Sequence, residues 1–348
     1  MTYLATIFLL LIGSCTYYLT YTLYRYALTS RKLLDIPNHR SSHAHPTPSG
    51  GGLTIVTAFF VTTIILYASG QIPFNLWMAV GGGILVAFIS GWDDIKPLPI
   101  RLRLSIHFLA AIWSLIWINT SPETLPFVHP SEIPDRIGIF LLSVLWITWM
   151  TNLYNFMDGI DGLAASQAVT TALSAGFFIW LGVGQPGTAL LMFTLAAACL
   201  GFLPWNWPPA RIFMGDIGSC FLGFGFGLFS LIPVDQGGLP FWCWPILLAV
   251  FICDASMTLF QRYFSGQDWH LPHRSHAYQH AAQIIGHRTT TLAIIAVNVF
   301  WLWPWAAYVL RHPEYGMIIA AIVYLPLILL ARFFGAGQVN GIRTINPT

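Results

Sequence analysis

Residues 137–182 read IGIFLLSVLWITWMTNLYNFMDGIDGLAASQAVTTALSAGFFIWLG: two long apolar runs joined at residues 152–163 by NLYNFMDGIDGL, with two asparagines and two aspartates. An α-helix needs about 20 mostly apolar residues to cross hydrocarbon, and each run approaches that length. The reading is therefore two membrane spans that meet at an interface. Asn152 and Asn155, three apart, share a face near the end of the first helix. Gly159 and Gly162 let the chain turn so that Asp158 and Asp161 open the second. Helix capping accounts for one of these acids, or two. It does not account for Asn, Asn, Asp and Asp in register, and polar groups at membrane depth mark sites.

The same pattern extends over the chain. Of 348 residues, 56% are hydrophobic and only 8% charged, with a mean hydropathy of +0.67. That excludes a water-soluble domain and gives an all-α, polytopic membrane helix bundle, one integral domain over residues 1–348. Eleven segments are candidates to span: near 4–24, 51–69, 75–92, 103–119, 137–154, 163–182, 187–205, 217–233, 240–261, 291–310 and 317–335. The N-terminal run lacks a basic flank and is too long for a signal-peptide core, so a retained first span is expected. Trp205, Trp207, Trp242, Trp244, Trp301, Trp303 and Trp305 cluster near segment ends, as interfacial anchors do. The five cysteines stand singly in apolar stretches and read as packing residues.

With the N-terminus outside, thirteen of the fifteen Lys and Arg fall on one side, and only Arg136 and Arg311 on the other. That asymmetry places the C-terminus in the cytoplasm. Glu123, Glu132, Asp135, Asp235 and Glu314 then lie outside, and the other eight acids converge on the cytoplasmic face. A net charge of +2 gives no reason to expect a nucleic-acid partner.

Four further stretches carry polar chemistry. In GWDDIKPLPIRLR (91–103), adjacent Asp93 and Asp94 repel one another unless a cation sits nearby. A metal could supply it, or Lys96, Arg101 and Arg103 in a structural salt-bridge cluster. In ARIFMGDIGSCFLG (210–223), Asp216 lies between glycines ahead of a span, either as a helix cap or as a metal ligand with room for phosphate oxygens. Residues 253–280 hold Asp254, Arg262, His270, His273, Arg274, His276 and His280. No cysteine accompanies these histidines and Arg274 would repel a dication, so an anion-binding loop for phosphate is preferred to zinc. Finally, PTPSGGG (46–52) precedes a helix, where backbone amides can approach phosphate or where a plain connector can bend.

Together, PTPSGGG, Asp93-Asp94, NLYNFMDGIDGL, FMGDIGS (213–219), the Asp254-to-Arg262 spacing and HRSHAYQH (273–280) resemble the polyprenyl-phosphate N-acetylhexosamine-1-phosphate transferases of glycosyltransferase family 4. The motifs run in family order over residues 35–288. The resemblance implies transfer of an N-acetylated amino-sugar 1-phosphate from a UDP-sugar to undecaprenyl phosphate. UMP would be released, magnesium required with manganese as a substitute, and a homodimer admitted. By motif, Asn155 and Asp216 look like metal ligands and Phe213 like the aromatic that stacks on uracil. Asp158 and Asp161 resemble nucleotide-side groups, Asp93 and Asp94 the acidic pair at the lipid phosphate. Asn152, Arg262, His273, Arg274 and His276 complete the expected substrate-binding set, drawn from loops near 25–50, 93–103, 155–162, 206–216 and 262–290.

The chain departs from the family pattern at two places. Pro97 stands where many members have a third acid, and HRSHAYQH replaces a dense histidine run. The variant resembles the O-antigen-initiating branch that handles UDP-FucNAc or UDP-QuiNAc, rather than the peptidoglycan branch. An ion- or proton-coupled transporter is the rival class. It would place its carboxylates near the midplane, often in repeated halves, and no internal repeat is visible.

Overall fold

In hydrocarbon every backbone N–H and C=O must find a partner within its own segment, so apolar runs of this length fold as helices. The computed structural model describes residues 3–30, 33–36, 45–118, 133–268 and 273–338. Arg31, Lys32, Arg40, Glu123, Glu132, His270 and Arg343, used in the sequence reading, lie outside these residues, as does the side chain of Asp135.

The chain is an all-α membrane bundle. Its first helices are α1 (Tyr3–Ser30), α2 (Gly52–Ala68), α3 (Phe74–Ile95), α4 (Ile100–Trp117) and α5 (Ile133–Phe156). Next come α6 (Leu163–Phe178), α7 (Pro186–Asn206), α8 (Asp216–Phe229), α9 (Cys243–Leu247) and α10 (Ala249–Phe264). The last are α11 (Ala277–Ile285), α12 (His287–Val297), α13 (Trp303–Arg311) and α14 (Gly316–Phe333). A two-residue bridge pairs Leu34 with Pro48 and Asp35 with Thr47. Helix α8 lies at the centre, buried along nearly its whole length, with α2, α3 and α5 packed around it.

Among the described residues, eight helices are long and apolar enough to cross a membrane. The segments near 51–69 and 217–233 form shorter apolar helices, Gly52–Ala68 and Asp216–Phe229. The segment near 240–261 is broken at Leu248, between α9 and α10. That break frees the Leu247 carbonyl, which accepts from Gln167 Nε2 at 3.0 Å. The segment near 291–310 carries a π-helical turn at Asn298–Leu302 between α12 and α13. Pro304, just beyond it, has no N–H to return to the preceding turn, and a widened turn is one way to accommodate that. Asn298 Nδ2 in turn donates to Gln167 Oε1 at 2.8 Å and Thr170 Oγ1 at 3.1 Å. One buried amide cluster thus links the break at Leu248 to the π-helical turn through Gln167.

Helix α8 reads DIGSCFLGFGFGLF, and its glycines are not equivalent. A Cβ on Gly223 would run into the Met150 carbonyl, with Tyr154 Cβ at 2.7 Å and Thr151 Cα at 3.0 Å, whereas nothing lies within 4 Å of one on Gly225. Gly223→Ala should therefore cost about 1–3 kcal/mol by overpacking the α5–α8 contact. Gly225→Ala should be neutral or slightly stabilising, because alanine favours helix. Thermal unfolding of the two variants in the same detergent checks the contrast.

Candidate active site

Helix ends converge at one end of the bundle: the C-termini of α3 and α5 and the N-termini of α4, α8 and α11. An N-terminus leaves orphan N–H groups, and the sequence offered Asp216 as their cap. The structure gives that task to Asp94, on another span. Asp94 Oδ1 accepts from the Asp216 N–H at 2.9 Å and Oδ2 from the Ile217 N–H at 3.1 Å. Gly215 makes this approach possible: its φ is 75°, and a Cβ there would sit 2.7 Å from Asp94 Oδ2.

With α8 capped from outside, the Asp216 carboxylate faces other partners. Its Oδ2 accepts from Arg103 Nη1 at 3.1 Å, and Asn155 lies within hydrogen-bonding reach. Arg103 also pairs with Asp93, whose Oδ1 accepts the Leu98 N–H at 2.6 Å. Asn155 Oδ1 accepts from Ser219 Oγ at 2.8 Å. Half-buried Asp158 faces the same group. Burial, then the carboxylates of Asp216, Asp94 and Asp161, push its carboxyl well above the usual range.

Such crowding of carboxylates calls for a cation, and Arg103 supplies one charge only. The donors nearby are all oxygens. Among the described residues no three His, Cys, Asp or Glu side chains are grouped so as to hold an ion by themselves. A hard dication held by one or two protein oxygens, the rest coming from phosphates, fits this donor set.

Asp161 is engaged differently. Its Oδ2 accepts the Ala210 N–H at 3.0 Å, its Oδ1 lies 3.4 Å from His287 Nδ1, and its carbonyl accepts from Thr291 Oγ1 at 3.0 Å. Beside it, Asn206 Oδ1 accepts the Gly162 N–H at 3.1 Å while Nδ2 donates to the Ile212 carbonyl at 3.0 Å. Phe213 is held through its backbone: its N–H donates to Pro48 O at 2.8 Å, and its carbonyl accepts from Gly51 N–H at 2.9 Å. The 46–52, 158–163 and 206–216 stretches are therefore stitched into one surface. Asn152 turns toward α4, where Nδ2 donates to Thr148 O at 2.7 Å and lies 3.4 Å from His107 Nδ1.

The basic loop divides in two. Arg262, only 8% exposed, donates to Gln267 Oε1 at 2.8 Å, Ser275 Oγ at 3.3 Å and Asp268 O at 2.9 Å. His276, 2% exposed, lies 3.2 Å from Asp254 Oδ1. Asp254 itself caps α11, accepting from the N–H groups of Ala277 at 3.0 Å and Tyr278 at 2.8 Å. Arg262 and His276 thus shape the loop from within, while half-buried His273 and Arg274 stand at its surface. Tyr278 Oη donates to Phe156 O at 2.9 Å, tying the loop to the end of α5.

The sequence reading placed Arg103 in a salt-bridge cluster but gave no sign that it reaches Asp216. It singled out neither Asn206 nor Tyr278. Each joins stretches far apart in the chain, and spacing alone carries no signal for that.

A model of the glycosyl transferase family 4 matches residues 76–234, from α3 through the end of α8. The matched region contains Asp93, Asp94, Asn155, Asp158 and Asp216 and leaves out the 262–290 loop. The chain is 29% identical over 276 residues to a probable undecaprenyl-phosphate N-acetylglucosaminyl 1-phosphate transferase of Bacillus subtilis, covering 76% of this chain and 74% of that one. It is 35% identical over 199 residues to a phospho-N-acetylmuramoyl-pentapeptide-transferase of Alkaliphilus oremlandii, covering 51% and 59%. A protein of the same description from Chlamydia muridarum is 32% identical over 209 residues, covering 53% and 61%. The chain spans about three fifths of the length of these last two. The similarity is at the level of the polyprenyl-phosphate sugar-1-phosphate transferase family.

Asp94→Ala should leave the first N–H groups of α8 unpartnered and lower stability by about 1–2 kcal/mol, with Asp94→Asn keeping an acceptor and much of the loss restored. Thermal unfolding of both variants measures this. A second expectation concerns acid. Burial, with the charges of His276 and Arg262, lowers His273 from 6.5 to about 3, so the folded loop holds a neutral ring. A depressed pKa gives stability that is whole above the unfolded value and declines as pH falls from about 6.5 toward 3. Amide protection in residues 273–280, taken relative to the intrinsic exchange rate at each pH, should therefore fall between pH 7 and pH 5, and His273→Gln should flatten that dependence.

Proposed function

We propose that this chain is a membrane sugar-1-phosphate transferase. It moves the N-acetylated amino-sugar 1-phosphate of a UDP-sugar onto undecaprenyl phosphate, releasing UMP, at the cytoplasmic face of a bacterial inner membrane. The bundle then has eleven spans with the N-terminus outside. The product is the first lipid-linked intermediate of an O-antigen or related surface glycan, with UDP-FucNAc or UDP-QuiNAc as the donor class. The observation that carries the reading is the division of labour between two aspartates: Asp94 caps α8, and Asp216 is left in its first turn beside Asn155 and Asp158. The family-level similarity supports the same reaction.

An oxygen of the lipid phosphate attacks the β-phosphorus of the UDP-sugar. The bond from that phosphorus to the bridging oxygen breaks, and the electron pair leaves with UMP. One phosphoanhydride replaces another, so the reaction is reversible. A phosphate monoester has its second pKa near ~6, which makes positioning more pressing than proton removal. Asp93, tied to Arg103 and the Leu98 N–H, suits that positioning role better than the role of a mobile base. Bringing a dianion onto a pyrophosphate makes charge neutralisation the main demand. Asn155 and Asp216 would hold magnesium, or manganese, which supplies that neutralisation when bound. Arg103 keeps Asp216 aimed, Phe213 offers a ring for the base, and His273 and Arg274 face the remaining substrate charge.

A transporter would need charge at mid-membrane. Asp93, Asp94, Asp158, Asp161 and Asp216 instead sit at helix ends and in the connection between α5 and α6, and the buried Asp254 is satisfied by three N–H groups and the Thr258 hydroxyl.

Asp216→Asn keeps the shape and removes the charge, so kcat for UMP release should fall at least about a hundredfold, equivalent to ~2.7 kcal/mol. Asp235→Asn, at the far end of α8, should leave turnover unchanged. Purified protein with undecaprenyl phosphate and a panel of UDP-sugars, with and without EDTA, tests reaction, donor and metal together. Near-wild-type turnover by well-folded Asp216→Asn would remove the assignment.

A further inference from the structure

On the outer side of the bundle, α1, α6 and α7 enclose a cleft of about 600 Å³ that the transfer reaction does not use. Its walls are almost wholly apolar, with Leu9 and Leu10 from α1, Leu173 from α6, and Phe193 and Leu200 from α7. The cleft exists because α1 and α7 touch at glycine: a Cβ on Gly201 would strike the Gly13 carbonyl, and one on Gly13 would lie 3.3 Å from the Ala197 carbonyl. Close contact there leaves the larger side chains on either side standing apart.

Toward the end of the bundle that holds Asp216, the cleft ends at Tyr17. The Tyr17 ring lies 5.2 Å from Trp205, and Tyr21 and Tyr24 lie 5.8 and 5.6 Å from the same indole. Two exposed arginines stand on this aromatic floor. The Arg211 guanidinium lies 5.6 Å over Trp205, and Arg25 lies 6.0 Å over Tyr21 with Nη1 3.4 Å from the hydroxyl. Among the described residues neither has a carboxylate within salt-bridge distance. Two like charges drawn to one aromatic cluster form a site for an anion. At the head of an apolar cleft at membrane depth, one class of molecule meets both halves.

We propose that this cleft binds an anionic membrane phospholipid, an acyl chain lying between α1, α6 and α7 and the phosphate between Arg25 and Arg211. Free phosphate would leave the apolar part unfilled. A zwitterionic lipid would bring its own cation against two guanidinium groups. Aromatic residues and basic side chains at the cytoplasmic interface are the features that anchor such headgroups. The site is independent of the transfer chemistry and stands or falls apart from it.

The test is lipid retention by full-length protein, stripped of lipid in detergent and read by native mass spectrometry. Palmitoyl-oleoyl-phosphatidylglycerol should be retained one per chain under conditions that remove palmitoyl-oleoyl-phosphatidylcholine. Arg25→Gln with Arg211→Gln should weaken retention at least tenfold. Leu200→Trp, which fills the cleft and leaves both arginines in place, should abolish it. All three side chains are exposed, so the variants should elute and unfold as the parent does; the single Arg211→Gln provides a second measurement. Equal retention of the two lipids would overturn the proposal, as would retention indifferent to the arginines. So would one-to-one displacement of phosphatidylglycerol by undecaprenyl phosphate, or a dimer, rather than a lipid, lost on Leu200→Trp.

Discussion

The hydrogen bonds from the Asp216 and Ile217 amides to Asp94 are the constraint on which the rest depends. They join the end of α3 to the start of the central helix α8 and set the depth of both. An aspartate at the first position of a helix would ordinarily be read as serving its own N-terminus. Here the N–H groups are taken by a carboxylate 122 residues away, so the Asp216 side chain can face Arg103 and Asn155. Charge-assisted bonds of this kind are stronger than neutral ones, and the N-terminal end of the α8 dipole adds to them. The same arrangement recurs at α11, where Asp254 receives the first amides from within α10. In both places a carboxylate from one helix anchors the start of another.

Around that anchor the loops are hydrogen-bonded to one another rather than merely close. Asn206 and Asp161 bind the 206–213 stretch to the α5–α6 connection, and the 46–52 strand edge binds it from the other side. Tyr278 then joins the basic loop to the carbonyl of Phe156. A pyrophosphate reaction gains most from groups that need not move as charge develops, and these backbone bonds hold the acids and the Phe213 backbone in register.

The membrane imposes its own requirement at depth. The break at Leu248 leaves the Leu247 carbonyl where no water is at hand, and Gln167 answers it from α6, while Asn298, in the π-helical turn, bonds Gln167 and Thr170 side chain to side chain. The irregular backbone at Leu248 is tolerated because a side-chain amide completes its hydrogen bonding.

Composition and apolar run length were enough to determine a helical membrane bundle, since hydrocarbon leaves a chain of this kind few other ways to satisfy its backbone. The spacing within NLYNFMDGIDGL placed Asn155 on α5 and Asp158 in the connection, because helical periodicity is a property of neighbouring residues. The convergence of the acids at one end was legible from the alternation of loops. What tertiary structure decided was which acid does what. Nothing local distinguishes Asp94 as the cap from Asp216 as the outward-facing carboxylate. Nothing local turns Arg262 and His276 inward to shape their loop, leaves His273 and Arg274 at its surface, or brings Arg103 to Asp216. Each of these roles depends on a partner from another helix, and a hydrogen bond between residues a hundred positions apart leaves no periodic trace in the chain that makes it.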